Sequence, residues 1–107
     1  MSNERATYNF AKQYTRYPGG RLRKHGPFSG EAFREDVLWP LLQDRERIRV
    51  DLTGTYGFGS SFLDESFGEI GKRLGYENCQ KQISFVSEDD PTLVELIWTK
   101  IQKAAAA

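Results

Sequence analysis

Val50-Asp51-Leu52-Thr53-Gly54-Thr55-Tyr56-Gly57-Phe58-Gly59-Ser60-Ser61-Phe62-Leu63-Asp64-Glu65-Ser66-Phe67-Gly68 is the stretch that decides the fold. Its start belongs to a period-two run from Arg47 to Thr53, with Ile48, Val50 and Leu52 on one side and Arg49 and Asp51 on the other, the pattern of a half-buried strand. Three glycines between Gly54 and Gly59 interrupt it. Apolar residues then recur at helical spacing, with Leu63, Phe67, Ile70 and Leu74 facing inward and Gly75 at the end, so a helix is expected from Ser60 or Ser61 to Leu74. Strand, glycine loop and helix in succession are the repeating unit of an α/β sheet. In such sheets the loops after the carboxyl ends of the strands form the usual functional edge.

The same alternation continues on both sides. Ala6 to Tyr14, with Tyr8, Phe10 and Tyr14, reads as an edge strand, and Tyr17-Pro18-Gly19-Gly20 reads as a turn. Arg21-Leu22-Arg23 is expected to return as a short strand before His25-Gly26-Pro27 breaks the chain. Ser29 caps a helix with Phe28 and Phe33 as its hydrophobic staple. Phe33, Val37, Leu38, Leu41 and Leu42 form that helix's apolar face, and Pro40 within it predicts a kink. Gln82 to Ser87 reads as a further strand. Asp90-Pro91 opens a third helix, with Leu93, Leu96, Ile97 and Ile101 as its buried stripe. The order favours a single α/β domain over residues 1–107, with an ordered core from about 6 to 103 and a frayed tail at 104–107. A central mixed, mostly parallel sheet of about four strands with three main helices is expected.

Composition narrows the function classes. The 107 residues suffice for one core, and no apolar run reaches the ~18 residues of a membrane span. Met1 to Ala11 lacks the apolar segment of a secretory signal, and the one cysteine, Cys79, forms no internal disulfide. A cytoplasmic protein is therefore expected. Net charge is zero but asymmetric: residues 1–30 carry six Lys/Arg against one acid, and residues 31–107 carry nine against fourteen. Arg16, Arg21, Arg23 and Lys24 are thus candidates for nucleic-acid contact, although no nucleic-acid-binding motif accompanies them. A solvated basic segment accounts for them more simply.

No catalytic constellation emerges. The glycine loop lacks the Lys-Ser/Thr pair of a phosphate-binding P-loop, and Gly57-x-Gly59 falls short of a dinucleotide fingerprint. Any Ser-His-Asp triad would need His25, which sits in a Lys-His-Gly-Pro turn. Asp51 is placed to hold the loop that follows it. Asp64 and Glu65 are neighbours on a helix and diverge, and helix capping accounts for Glu88-Asp89-Asp90. No metal, cofactor or enzymatic activity is expected. Ser60 and Ser61 have two readings. Either Ser61 caps the helix with Asp64 in a capping box, or the hydroxyls and free N–H groups of the helix start meet an anion or phosphoryl group. Tyr56 and Phe58 are either folded into the core or offered to a partner.

The strand, the glycine loop and Ser60-Ser61-Phe62-Leu63-Asp64-Glu65-x-Phe67-Gly68 resemble the STAS-like domain of unknown function. Gly20-Arg21 and Ser29-Gly30-Glu31-x-Phe33-Arg34 fit the same pattern. More distantly the chain is similar to anti-sigma factor antagonists, in which the second of two serines at this turn is phosphorylated by a GHKL-type ATPase acting as a kinase. The resemblance implies a STAS-like fold, a protein partner of that type, a bacterial or phage setting, and Ser61 as phosphoacceptor. Partner binding is expected through Tyr56, Gly57, Phe58, Gly59, Ser60, Ser61, Asp64 and Glu65. Gly59 stands where the antagonists carry an acid and Phe62 where they carry glycine. Two alternatives remain open at this level: a nucleic-acid-associated regulator using the basic segment, and a small-anion or nucleotide sensor at the same helix start.

Overall fold

The computed structural model describes residues 6–45 and 47–107; Arg5, counted in the basic segment, lies outside them. Strand β1 is Ala6–Asn9, β2 is Ile48–Asp51 and β3 is Ile83–Val86. They form a three-stranded sheet in the order β1-β2-β3, parallel throughout. Tyr8, Val50 and Phe85 align across the sheet, so their side chains share one face.

Helices cover that face. Helix α1 is the single turn Phe10–Gln13. Helix α2 spans residues 30–44, with a wider π turn over Arg34–Leu38 between regular stretches. Helix α3 spans 60–74 with the same interruption at Asp64–Gly68. Helices α4, Tyr76–Gln82, and α5, Pro91–Ala106, complete the fold. Tyr8 meets Phe33 of α2, and Phe85 meets both Phe67 of α3 and Trp98 of α5. Right-handed parallel crossovers place successive helices on one side in this way. On the other face Thr7 and Arg49 are exposed.

Aromatic packing dominates the core. Phe10, Phe33, Phe62 and Phe67 are fully buried, and Phe10 alone touches Tyr14, Phe33, Phe58 and Phe62 at centroid separations of 4.9 to 6.1 Å. Two glycines let the helices approach closely. A Cβ on Gly30 would lie 2.7 Å from the Phe62 carbonyl oxygen, and one on Gly71 would lie 2.7 Å from that of Ile101. α3 is thereby held tightly between α2 and α5.

The sheet corrects several expectations. Three strands are present among the described residues, not about four, and none is antiparallel. Arg21-Leu22-Arg23 forms no strand: a 3₁₀ turn occupies Arg23–His25, closed by the Leu22 N–H donating to His25 Nδ1 at 3.3 Å. β1 stops at Asn9 because the Asn9 side chain accepts from the Lys12 N–H and starts α1. The irregularity expected at Pro40 lies just before it, in the π turn. Leu96, expected in the buried stripe, is 44% exposed. Phe28 packs edge-on against Tyr14 at 5.3 Å and stays half-exposed. α5 continues through Ala106.

Candidate functional site

Three segments follow the carboxyl ends of the strands and are tied into one edge. The Gly54 N–H donates to Asp89 Oδ2 at 3.0 Å, and the Glu88 N–H donates to Thr53 Oγ1 at 3.0 Å. These bonds join the β2 and β3 loops. The Tyr56 N–H donates to the Arg16 carbonyl at 2.8 Å and brings in the segment after α1. Asp51 holds the loop as expected, accepting from the Thr53 N–H at 3.0 Å. Gly54 and Gly57 have φ of +85° and +77°, a region that side-chain-bearing residues enter at a cost.

Within this loop the two aromatics part company. Phe58 turns inward onto Phe10 and Phe62, at 5.1 and 5.3 Å. Tyr56 turns outward, 58% exposed, and stacks on Tyr17, itself 68% exposed. Phe28 and Leu96 are the other exposed large apolar residues among those described. All four belong to segments that follow a strand's carboxyl end: the stretch before α2, the glycine loop and the second turn of α5. Of these only Tyr17 and Tyr56 touch one another, and contiguous exposed apolar surface is a signature of binding.

The serines do not cap their helix. Gly59 is the N-cap residue, with extended φ and ψ of −80° and 154° and no side-chain cap. Ser60 and Ser61 therefore occupy the first two helical positions, and the expected capping box with Asp64 is absent. Helix geometry leaves the leading N–H groups without intrahelical partners. Ser60 is exposed, and its Oγ accepts from Lys100 Nζ of α5 at 2.6 Å. Ser61 is half-buried.

Asp64 and Glu65 enter a chain of alternating charges instead. Lys100 pairs with Asp64 at 3.0 Å, and Arg21 reaches both Asp64 at 3.7 Å and Glu65 at 3.2 Å. Arg34 donates to Glu65 Oε2 at 2.6 Å and to the Glu65 carbonyl at 2.5 Å. Its Nε pairs with Glu35, which also binds Arg73. The network thus crosses α5, α3 and α2 and includes the loop before α2. Burial pushes the Glu65 carboxyl up, but hydrogen bonds and charge from Arg34 and Arg21 outweigh it and hold it below its ordinary range. Hydrogen bonds from Arg34 and Arg73 lower the Glu35 carboxyl.

The basic residues of the 1–30 segment do not form one free patch. Arg21 is held by Asp64 and Glu65, and Arg23 binds Asp36 through both terminal nitrogens at 2.7 and 2.9 Å. Arg16 and Lys24 are exposed. His25 is spent on its own turn. Cys79 is fully buried, and burial raises its thiol pKa to about 11. No group of three or more His, Cys, Asp or Glu among the described residues could hold a metal ion, and no helix among them is long and apolar enough to cross a membrane.

Sequence reading missed Lys100, Arg34, Glu35, Arg73 and Leu96 as neighbours of this edge. Lys100 stands 40 residues from Ser60, so tertiary packing alone brings them together. Leu96 and Lys100 are four apart on α5, which places them on one helical face.

A family model for the STAS-like domain of unknown function matches residues 29–93. The match runs from the cap of α2 to the first turn of α5 and includes the whole glycine loop. No curated protein and no solved structure is significantly similar to the chain.

Proposed function

We propose, from the premise that this chain belongs to the STAS-like domain family of unknown function, that it is a regulatory domain whose protein partner docks at the carboxyl edge of the sheet and responds to charge at Ser60-Ser61. The observation that carries this reading is the cap at Gly59. It relieves both serines of capping the helix, beside an edge that carries the exposed pair Tyr17 and Tyr56. The resemblance to anti-sigma factor antagonists supplies the chemistry: a GHKL-type ATPase transfers a phosphoryl group to Ser61 and brings its own catalytic machinery. The proposal gives this chain no catalytic step and no cofactor. A cytoplasmic setting in a bacterium or phage accompanies it.

Phosphorylation would add about two negative charges at a helix N-terminus, which the helix dipole tolerates. Lys100, which binds the Ser60 hydroxyl, and Arg21 are held by Asp64 and Glu65, and the new charge competes with those carboxylates for them. The α2–α3–α5 contact then exchanges partners, and the edge presents a different charge to the docked protein.

Two other readings predict different behaviour. A nucleic-acid regulator would use Arg16, Arg21, Arg23 and Lys24, of which Arg21 and Arg23 are engaged in ion pairs; its binding would weaken steeply with salt. An anion or nucleotide sensor would be stabilised against heat by its ligand alone. Capture from the native host with wild type, Ser60→Ala, Ser61→Ala and Ser61→Asp, read by mass spectrometry, tests the proposal. The expected result is an ATPase or regulator whose recovery changes with Ser61→Asp and not with Ser61→Ala. Identical recoveries from all four, with both serines unmodified, would remove the switch.

A further inference from the structure

Beside the glycine loop, between it and the start of α5, lies a cleft of about 250 Å³ lined by Thr55, Gly57, Phe58, Asp90, Thr92, Leu93 and Leu96. It lies on the α5 side of the loop, where Tyr56 binds the Arg16 carbonyl on the other. Phe58, Leu93 and Leu96 give it an apolar side, and Thr55, Asp90 and Thr92 give it a polar one. Leu96 lines the cleft and is 44% exposed, whereas Leu93 and Ile97 beside it on α5 are buried.

The charged residues of the β3–α5 connection and of the first two turns of α5 are all acidic, while Arg16 lies beside Gly54 on the other side of the loop. Glu88, Asp89 and Asp90 occupy the β3–α5 connection, and Glu95 adjoins Leu96; all four are exposed. Asp89 holds the Gly54 N–H and the Ser87 hydroxyl, and Asp90 accepts from the Thr92 hydroxyl at 2.6 Å. None of the four forms an ion pair with a described cation. The nearest lysine on α5 is Lys100, and Asp64 holds it at 3.0 Å. A cleft with one apolar side, Asp90 in its lining and further unpaired carboxylates on the adjoining chain favours an apolar side chain accompanied by positive charge.

We infer that this cleft receives a peptide segment of the partner protein in which one aliphatic or aromatic side chain is flanked by lysine or arginine. The apolar residue seats against Leu96, Leu93 and Phe58, and the flanking cations meet Asp90, Glu88 and Glu95. Burying one such side chain gives most of the affinity, while the charges set on-rate and specificity. The inference rests on the reading that this edge binds protein, but it does not depend on Ser60 or Ser61.

Selection from a random peptide library displayed on phage tests it, with the immobilised full chain as bait and Leu96→Glu as counter-bait. The expected enriched sequences carry an apolar residue between Lys or Arg residues. Peptides synthesised from them should shift the backbone amide signals of Thr55, Gly57 and Leu96, weaken with added salt, and lose about tenfold or more in affinity on Leu96→Glu. Glu88→Lys with Glu95→Lys, a surface change that leaves Phe58, Leu93 and Leu96 in place, should weaken the same peptides. Enrichment of acidic or uncharged peptides, equal selection on the counter-bait, or shifts confined to other surfaces would overturn the inference. So would self-association of the chain that Leu96→Glu abolishes, since the occupant would then be a second copy.

Discussion

Ser61 in the second position of α3, behind the Gly59 cap, has a measurable energetic consequence. A serine that caps a helix costs typically about 1 kcal/mol when replaced by alanine. Ser61→Ala should therefore change stability to urea by less than about 0.5 kcal/mol, and a loss near 1 kcal/mol would restore the capping role. Gly30 behaves oppositely, because its missing Cβ is occupied by the Phe62 carbonyl oxygen at 2.7 Å. Backbone cannot swing aside as a side chain can, so Gly30→Ala should cost about 1–3 kcal/mol in the same measurement. Cys79 should react with an aromatic disulfide reagent only slowly at mildly alkaline pH and rapidly in denaturant, since the folded thiol is buried and its pKa stands at about 11.

At the scale of elements, α2 and α3 each widen into a π turn, at Arg34–Leu38 and Asp64–Gly68. Arg34 of the first turn binds both the carboxylate and the carbonyl of Glu65 in the second. Arg34→Met should destabilise the chain by about 2–3 kcal/mol, somewhat less than a fully buried pair loses, because Glu65 keeps 19% exposure. The pH dependence follows from the lowered Glu65 carboxyl. Its contribution is complete above the ordinary value of 4.5 and is lost as pH falls below it through the folded pKa. Wild-type urea midpoints should thus decline from neutral pH to about pH 3, and the loss should be smaller in Arg34→Met, where Glu65 has lost its main partner. Equal acid losses in both proteins would assign the pH dependence to other groups.

Much of the architecture was legible at this scale, for local reasons. Ile48, Val50 and Leu52 alternate because one face of β2 is buried, and all three are at most 1% exposed. Ser29 was readable as a cap because it accepts from the Ala32 N–H three residues on. The Arg21-Leu22-Arg23 strand failed because alternating charge mimics a strand, whereas here the arginines reach α3 and α2 to form ion pairs. α4 was missed because Tyr76–Gln82 carries only Cys79 as a buried residue and so shows no apolar period. Leu96 was misplaced because periodicity assigns a face without saying how far neighbouring loops extend over it.

For the whole molecule, the parallel sheet with helices on one face places the starts of α2, α3 and α5 at a common edge, as the parallel βαβ order dictates. That edge was legible; the charge network and the cleft joined to it were not, since Arg21, Lys100 and Leu96 come to Asp64, Ser60 and Phe58 through packing over long sequence separations. The account's central claim is that the partner is met at this edge and not on the uncovered sheet face. A photoreactive benzoylphenylalanine in place of Tyr56, compared with one in place of the exposed Arg49 and irradiated in the native host, tests it most directly. The account predicts a covalent protein adduct from position 56 and none from position 49; adducts from position 49 with none from position 56 would contradict it.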